Sequence, residues 1–408
     1  MARTALWALA LSALAACGGV PAEVVDVDEG EVVANPRVDP TGAKLAACAS
    51  PLMRAVFDAT KDVIAQGSVP GRVYATSRNV ADDEALVMGP EIFPAMAKLI
   101  EGARREVDVQ FYVWEGDSQP AQEILDGIKR LEERRKREAA EGDPPVVVRF
   151  LLDVSTIGFG SNVKMMSALG EGVEALELDP RYVTVESALF RHKAMGALHT
   201  KSLVVDGRSA ILTGANAQKH HDYAEPWYDA GFRFDGDVAR SLLADFDYHW
   251  AHPSARRWVC GSRRGSAEEC QRPTEALTRT LGEDAGEIAG DACTPMFVAT
   301  RVGDWLPGSN RTDNPQDQAF LAAFAGAKRV IRMHTPNLND DAAKRALLDA
   351  MTANPALQVK VVLSKGFNDL TEDMPGQGGN NAKNVAELYG SLKARGVSDA
   401  CKRLQIRW

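Results

Sequence analysis

HTKSLVVDG (residues 199–207), followed by RSAIL and then TGAN (residues 213–216), is the stretch on which the reading of this chain turns. Residues 198–206 carry the apolar pattern of a strand, Gly207 marks a turn, and residues 210–212 return, so a β-hairpin is expected. Side chains two apart on a strand share a face, which sets His199 beside Lys201. The returning strand can bring Asn216 next to them. Asp206 lies an odd number of residues from His199, so a regular strand points it away, and a supporting role at the turn is expected for it. An ammonium and a carboxamide suit the charge that gathers on the equatorial oxygens of a phosphodiester under attack. An imidazole can attack phosphorus when neutral or protonate a leaving oxygen when charged.

Outward from the hairpin, helical and extended patterns alternate. Residues 91–103 read as a helix, 106–114 as a buried strand, 119–140 as a long helix, 146–153 as a second buried strand and 182–186 as a further one. Gly170 and Gly172 punctuate the end of another helix. After the hairpin come a strand at 227–235 and a helix at 238–250 with Leu242, Leu243, Phe246 and Trp250 on one apolar face. The charge run from Glu132 to Glu138 reads as a solvated helix face. This is an α/β pattern, a sheet with helices on its faces. A weak internal repeat supports two units. AFLAAFAGAKRVIRMHTP (319–336) matches AMAKLIEGARREVDVQFYVW (95–114), and QVKVVLSKG (358–366) matches VVVRFLLDV (146–154). His199 follows Asp153 by 46 residues. The same spacing laid on Lys365 places an equivalent histidine within about ten residues past Trp408, so the second repeat is expected to stop before its own motif.

The histidine, lysine, aspartate and asparagine of this hairpin resemble the HxKxxxxD motif of the phospholipase D superfamily. His199, Lys201, Asp206 and Asn216 match it position by position. Thr213-Gly214 departs from the pair that the family usually carries there, Gly followed often by Ser. The resemblance extends over nearly all of residues 43–408 and implies two repeated α/β/α sandwich domains with mixed central sheets, the second incomplete. It further implies a phosphohistidine intermediate, with one histidine per repeat sharing the nucleophile and acid roles and no metal or other cofactor. His199 is the expected nucleophile. Asp229, in WYDAGFRF, lies where the family places the acid that orients the catalytic histidine, with Glu225 as the fallback. His220 and His221 read either as pocket rim or as solvated loop. His192, His249, His252 and His334 read as structural or exposed, with no spacing that suggests a metal site. Core packing is the expectation for Trp114, Trp227 and Trp305, contact with acyl chains the alternative. Tyr112 to Trp114 and Thr335 to Asn337 are expected to edge the cleft between repeats.

The amino terminus, MARTALWALALSALAAC, has Arg3, an apolar run and then Cys17, a secretory signal too short to span a bilayer comfortably. LAAC resembles the bacterial lipobox, which makes residues 1–17 the signal with its lipobox cysteine and implies lipidation of Cys17, removal of everything before it and, with Gly18 next, release to the outer membrane of a bacterial envelope. Residues 18–42 are acidic and rich in Pro and Gly, a tether. The organisation expected is then a first domain at 43–251, a Cys-containing connection at 252–312 and a second repeat at 313–408. With Cys17 lipidated, the five cysteines left of six are odd in number; a local bridge among Cys260, Cys270 and Cys293 is the expected pairing.

With 408 residues, 45% hydrophobic, the chain is long enough for two ordinary domains. Its formal charge of -9 provides no global field to attract a polyanion, which weighs against nucleic acid. A lipid anchor makes membrane phospholipid the nearest phosphodiester, and the reaction expected is that of a phospholipase D or a cardiolipin synthase-like phosphatidyltransferase. A family nuclease and a degenerate binding protein with half a site are the alternatives. A symmetric dimer would supply a second motif in trans.

Overall fold

Two strands are buried on both faces, although polar side chains alternate with apolar ones in the first. EVDVQF forms β2 (Glu106–Phe111) and VVVRFLLD forms β3 (Val146–Asp153), and every residue in both is buried. In the computed structural model the described residues are 49–65, 84–153, 162–190, 197–251, 255–258, 295–299, 314–366 and 378–408. The first unit is built on an eight-stranded mixed sheet in the order β1-β7-β6-β5-β2-β3-β4-β8. Besides β2 and β3 it comprises β1 (Glu84–Val87), β4 (Val183–Phe190), β5 (Lys201–Val205), β6 (Ser209–Thr213), β7 (Ala230–Asp235) and β8 (Ala255–Trp258). β2, β3 and β4 run parallel; β5 joins β2 antiparallel, with Gln110 opposite Ser202.

One sheet face packs on amphipathic helices. α1 (Pro51–Ala65) precedes the sheet, and α2 (Gly89–Glu101) with α3 (Gln119–Glu138) lays Ile92, Phe93, Met96, Ile124, Ile128 and Leu131 on Val107, Val109 and Phe111. Each such side chain contributes about 1.5–3 kcal/mol of transfer free energy. Ser118 caps α3, its hydroxyl accepting from the Ala121 amide at 3.2 Å. α4 (Asn162–Ala175) continues this layer. The other face is covered by α5 (Asp237–Ala251): Phe246 and Trp250 meet Leu151, Ala188 and Phe190, while Leu242 and Leu243 meet Val204 and Phe234. Under α5 the buried Arg149 guanidinium is held by Asp108 at 3.0 Å, Glu106 at 3.2 Å and Glu186 at 3.5 Å.

The second unit holds α6 (Pro315–Gly326), β9 (Val330–Thr335), α7 (Asp341–Ala353), β10 (Gln358–Leu363), α8 (Asn381–Ala394), α9 (Ala400–Arg403) and β11 (Leu404–Arg407). Its strands form a parallel sheet, β11-β10-β9. The second sheet repeats the parallel pairing of the first one residue out of step with the sequence match, with Gln358 in the place of Val147 and not of Val146. Glu106 faces Val147 in the first sheet as Val330 faces Gln358 in the second. The Val147 amide donates to Arg105 O at 3.0 Å, as the Gln358 amide does to Arg329 O at 2.9 Å.

Several expectations need correction. Gly170 and Gly172 lie inside α4, where a Cβ on Gly172 would fall 2.7 Å from Leu125 Cδ1, so close helix contact explains that glycine. Residues 227–229 precede β7 and do not belong to it. Strand β8 lies within the stretch expected to be connection and pairs antiparallel with β4. α1, counted with the first domain, packs along α6 of the second repeat; a Cβ on Gly326 would meet Leu52 Cδ1 at 2.5 Å. An amphipathic pattern states that a face will be buried, not against which partner.

The expectations for residues 1–17 with Cys17, the tether at 18–42, Cys260, Cys270, Cys293, His192, His252 and Trp305 lie outside the described residues. Cys401 is free and exposed. No helix among the described residues is long and apolar enough to cross a membrane.

Candidate active site

The carboxyl ends of β2 and β3 and the entry to β5 meet at one edge of the first sheet, because β5 runs against β2. There the chain turns inward at Leu198, which is buried, and delivers His199 and Lys201 two residues apart. Both converge on Tyr112, which directly follows β2. The His199 ring lies 4.6 Å from the Tyr112 ring, tilted by 50°. The Lys201 ammonium sits 5.1 Å from the same ring centroid, within cation–π range. Lys201 Nζ also donates to His199 O at 2.7 Å. Asn216, after β6, accepts at Oδ1 from the Val113 amide at 3.0 Å, which ties it to the residue next to Tyr112 and leaves its amide NH2 as a donor. Three of the expected residues are thus gathered on Tyr112-Val113.

The electrostatics follow from burial. Lys201 is 3% exposed, and loss of hydration lowers its pKa to about 7, against the opposing pull of Asp229 and Asp153. His199 opens to solvent on one side. Partial desolvation and then the neighbouring Lys201 lower its pKa to about 4, so the imidazole is neutral at physiological pH. Desolvation also raises Asp229, opposed by its own Ala230 amide, Lys201 and His334. Asp229 Oδ1 accepts from the Ala230 amide at 2.9 Å, and among the described hydrogen bonds none joins it to His199. Glu225, the fallback, is exposed.

Thr213-Gly214 acquires a local reason. The Thr213 hydroxyl donates to Ala230 O at 2.9 Å and accepts from the Ala215 amide at 3.1 Å, bracing the turn into Asn216. A Cβ on Gly214 would stand 2.2 Å from Asp229 Oδ1. With glycine there, the carboxylate can occupy that space. Asp206 takes the turn at φ 53°. Its carboxylate accepts from the amides of Arg104 at 2.9 Å, Arg105 at 2.8 Å and Glu106 at 3.1 Å, binding the turn to the start of β2.

The remaining histidines separate. His221 is 2% exposed, and burial, then His220, lowers its pKa to about 4; Lys201 is also near enough to act on it. His220 is exposed and stacks on Trp227 at 3.9 Å. Trp227 is itself 49% exposed, so its core expectation is corrected, whereas Trp114 at 1% is core. His249 is structural: Nδ1 contacts Asp245 O at 2.8 Å and the ring meets Phe190 edge-on. His334 is exposed on β9, with its ring 4.2 Å from that of Tyr228. Sequence reasoning gave no site role to Asp153. This carboxyl ends β3, is 1% exposed and has its pKa raised by burial to about 7. A buried strand that ends on a carboxylate was the available signal.

No protein-family model matches the chain. A probable cardiolipin synthase of Bacillus subtilis is 21% identical over 261 residues, 63% of this chain and 49% of that protein. Cardiolipin synthase 1 of Bacillus cereus is 25% identical over 302 residues, 72% and 51% respectively. The chain therefore spans about half the length of the curated relatives it matches. The solved phosphatidylserine synthase of Haemophilus influenzae shares the fold with a TM-score of 0.50 at 14% identity, covering 85% of this chain and 76% of that one.

Proposed function

On the premise that this chain belongs to the phospholipase D superfamily, we propose that it is a phosphodiesterase or phosphatidyltransferase acting on membrane phospholipids through a phosphohistidine at His199. The observation that carries this reading is the packing of His199 and Lys201 on one tyrosine ring, with the imidazole held neutral and Asn216 tied to the adjacent residue. A neutral imidazole nitrogen attacks phosphorus, the bond from phosphorus to the headgroup oxygen breaks, and the leaving oxygen takes a proton from a general acid, the role that the resemblance gives to the histidine of a second motif and that a second copy of the chain would supply in a symmetric dimer. Water or an alcohol then attacks the phosphohistidine, losing its proton, and frees the imidazole. Lys201 and the Asn216 amide hold the charge on the phosphoryl oxygens throughout.

A phospholipid substrate is supported by the two relatives that are named as cardiolipin synthases and by the acidic formal charge of -9, which works against nucleic acid. In this reading lipid on Cys17 tethers the enzyme to the outer membrane of a bacterial envelope. Asp229 orients the site by its charge, and Asp206 supports it from the turn. The test offers the full-length protein vesicles of phosphatidylglycerol or phosphatidylcholine, and single-stranded DNA, beside His199→Ala. Release of phosphatidic acid or formation of cardiolipin, lost in His199→Ala, is expected. An alkaline quench should retain phosphorus on the wild-type chain, since a phosphoramidate is labile to acid. Turnover surviving in His199→Ala removes that residue from the chemistry, and cleavage confined to DNA reverses the substrate.

A further inference from the structure

We propose that Asp153 is a positioning residue of this site, fixing the chain that enters β5 and supplying, with Asp229, the negative charge against which the Lys201 ammonium is held. The inference takes from the proposed function only that Lys201 is the phosphate-holding cation.

Three observations meet at this carboxyl. It is the last residue of β3, at the sheet edge where β5 begins, and it is 1% exposed. Its Oδ1 accepts from the Leu198 amide at 2.7 Å, so it anchors the residue immediately before His199. Among the described residues its Oδ2 is buried with no hydrogen-bond partner. A buried carboxylate oxygen left without a donor is costly, and such atoms in a folded protein call for an explanation. A nearby cation whose charge varies provides one. Lys201 is the cation that acts on Asp153, and Asp153 with Asp229 are the anions that act on Lys201. The other titratable groups facing Lys201 are His199 on its own chain segment, Tyr112 after β2, whose ring lies 5.1 Å from the ammonium, and His221 in the short turn after Asn216. Burial moves Asp153 up to about 7 and Lys201 down to about 7. The two therefore change charge over the same pH range, and the state of one biases the other. Without Asp153, desolvation would act on Lys201 with one opposing carboxylate fewer, and less of it would be charged when an anionic phosphate arrives.

The test uses the full chain carrying lysine enriched with carbon-13 at Cε, with Lys201 assigned through Lys201→Arg. Wild-type Lys201 should titrate near pH 7. Asp153→Asn keeps a carbonyl oxygen for the Leu198 amide but removes the charge, and should lower the Lys201 midpoint by about half a pH unit or more. Asp153→Ala should do the same and also speed hydrogen exchange at the Leu198 amide, which Asp153→Asn should leave protected. A reciprocal variant, Lys201→Met, should raise the midpoint of the Asp153 carboxyl carbon, and it keeps the idea testable if neither Asp153 variant folds. An unmoved Lys201 midpoint in folded Asp153→Asn, or an unmoved Asp153 midpoint in Lys201→Met, overturns the proposal. Both readouts are independent of turnover. A protein that couples these titrations but cleaves no phospholipid would refute the proposed function and leave this inference standing.

Discussion

Replacing Asp206 with alanine should destabilise the first unit by an amount that its hydrogen bonds set. The carboxylate accepts three backbone amides, of which those of Arg105 and Glu106 are partly buried and that of Arg104 is exposed. Water can replace the acceptor for Arg104. The other two donors lose charge-assisted bonds worth about 1–1.5 kcal/mol each in a partly solvated setting. The turn adds a second cost, since Asp206 has φ 53° and alanine tolerates that region less well by about 1 kcal/mol. Asp206→Ala should therefore cost about 3–4 kcal/mol in total. Asp206→Gly relieves the backbone but not the donors and should cost about 2–3 kcal/mol. Asp206→Asn keeps one oxygen and tolerates the left-handed region, so about 1–1.5 kcal/mol is expected. Chemical denaturation followed by far-ultraviolet circular dichroism gives the ranking, and hydrogen exchange at Arg104, Arg105 and Glu106 localises it. Equal losses in the three variants, or alanine costing under about 0.5 kcal/mol, would refute the assignment of Asp206 as the clasp between the turn and β2.

Other consequences are as direct. Gly214→Ser puts an atom where Asp229 Oδ1 lies 2.2 Å from the new Cβ, so kcat/KM should fall about tenfold or more with little change in unfolding midpoint; unchanged turnover would remove Asp229 from the site. Tyr112→Phe should stay within about twofold of wild type and Tyr112→Ala should lose about tenfold, because the ring face packs both His199 and Lys201. Dimethyl phosphate, an anion without a titration near neutrality, should bind with proton uptake at pH 8, where Lys201 with its pKa of about 7 is mostly neutral, and with less uptake at pH 6, where it is already charged. Calorimetry in buffers of different ionisation enthalpy reads this, and equal uptake at both pH values would contradict it. Arg149→Met leaves Glu106 and Asp108 buried without their cation, for an expected loss of about 3–5 kcal/mol; a loss below about 1 kcal/mol in denaturation would show the pair to be solvated.

The strands buried on both faces, the long helix from Gln119 and the hairpin around Gly207 were legible because each announces itself by local periodicity or turn chemistry. So was the internal repeat, to within one residue of the pairing in the two sheets. Elements without a marked pattern were not. α7 lies unmarked between two matched strands, β8 hides in a Gly- and Arg-rich stretch, and α1 gives no hint that it packs on α6.

For the site, the sequence by itself determined which groups are available. HTKSLVVDG and TGAN bring imidazole, ammonium, carboxylate and amide onto one hairpin, because residues this close in a strand and its return must share an edge. What only the tertiary structure decided was their surroundings. Tyr112 enters the site because β5 runs against β2, and Asp153 because β3 ends at the same edge. Partial desolvation with the neighbouring Lys201, which no spacing encodes, leaves His199 neutral, and burial brings Lys201 and Asp153 to the same pH range. Hairpin geometry follows from neighbours along the chain, whereas desolvation depends on strands and helices brought together from distant parts of it.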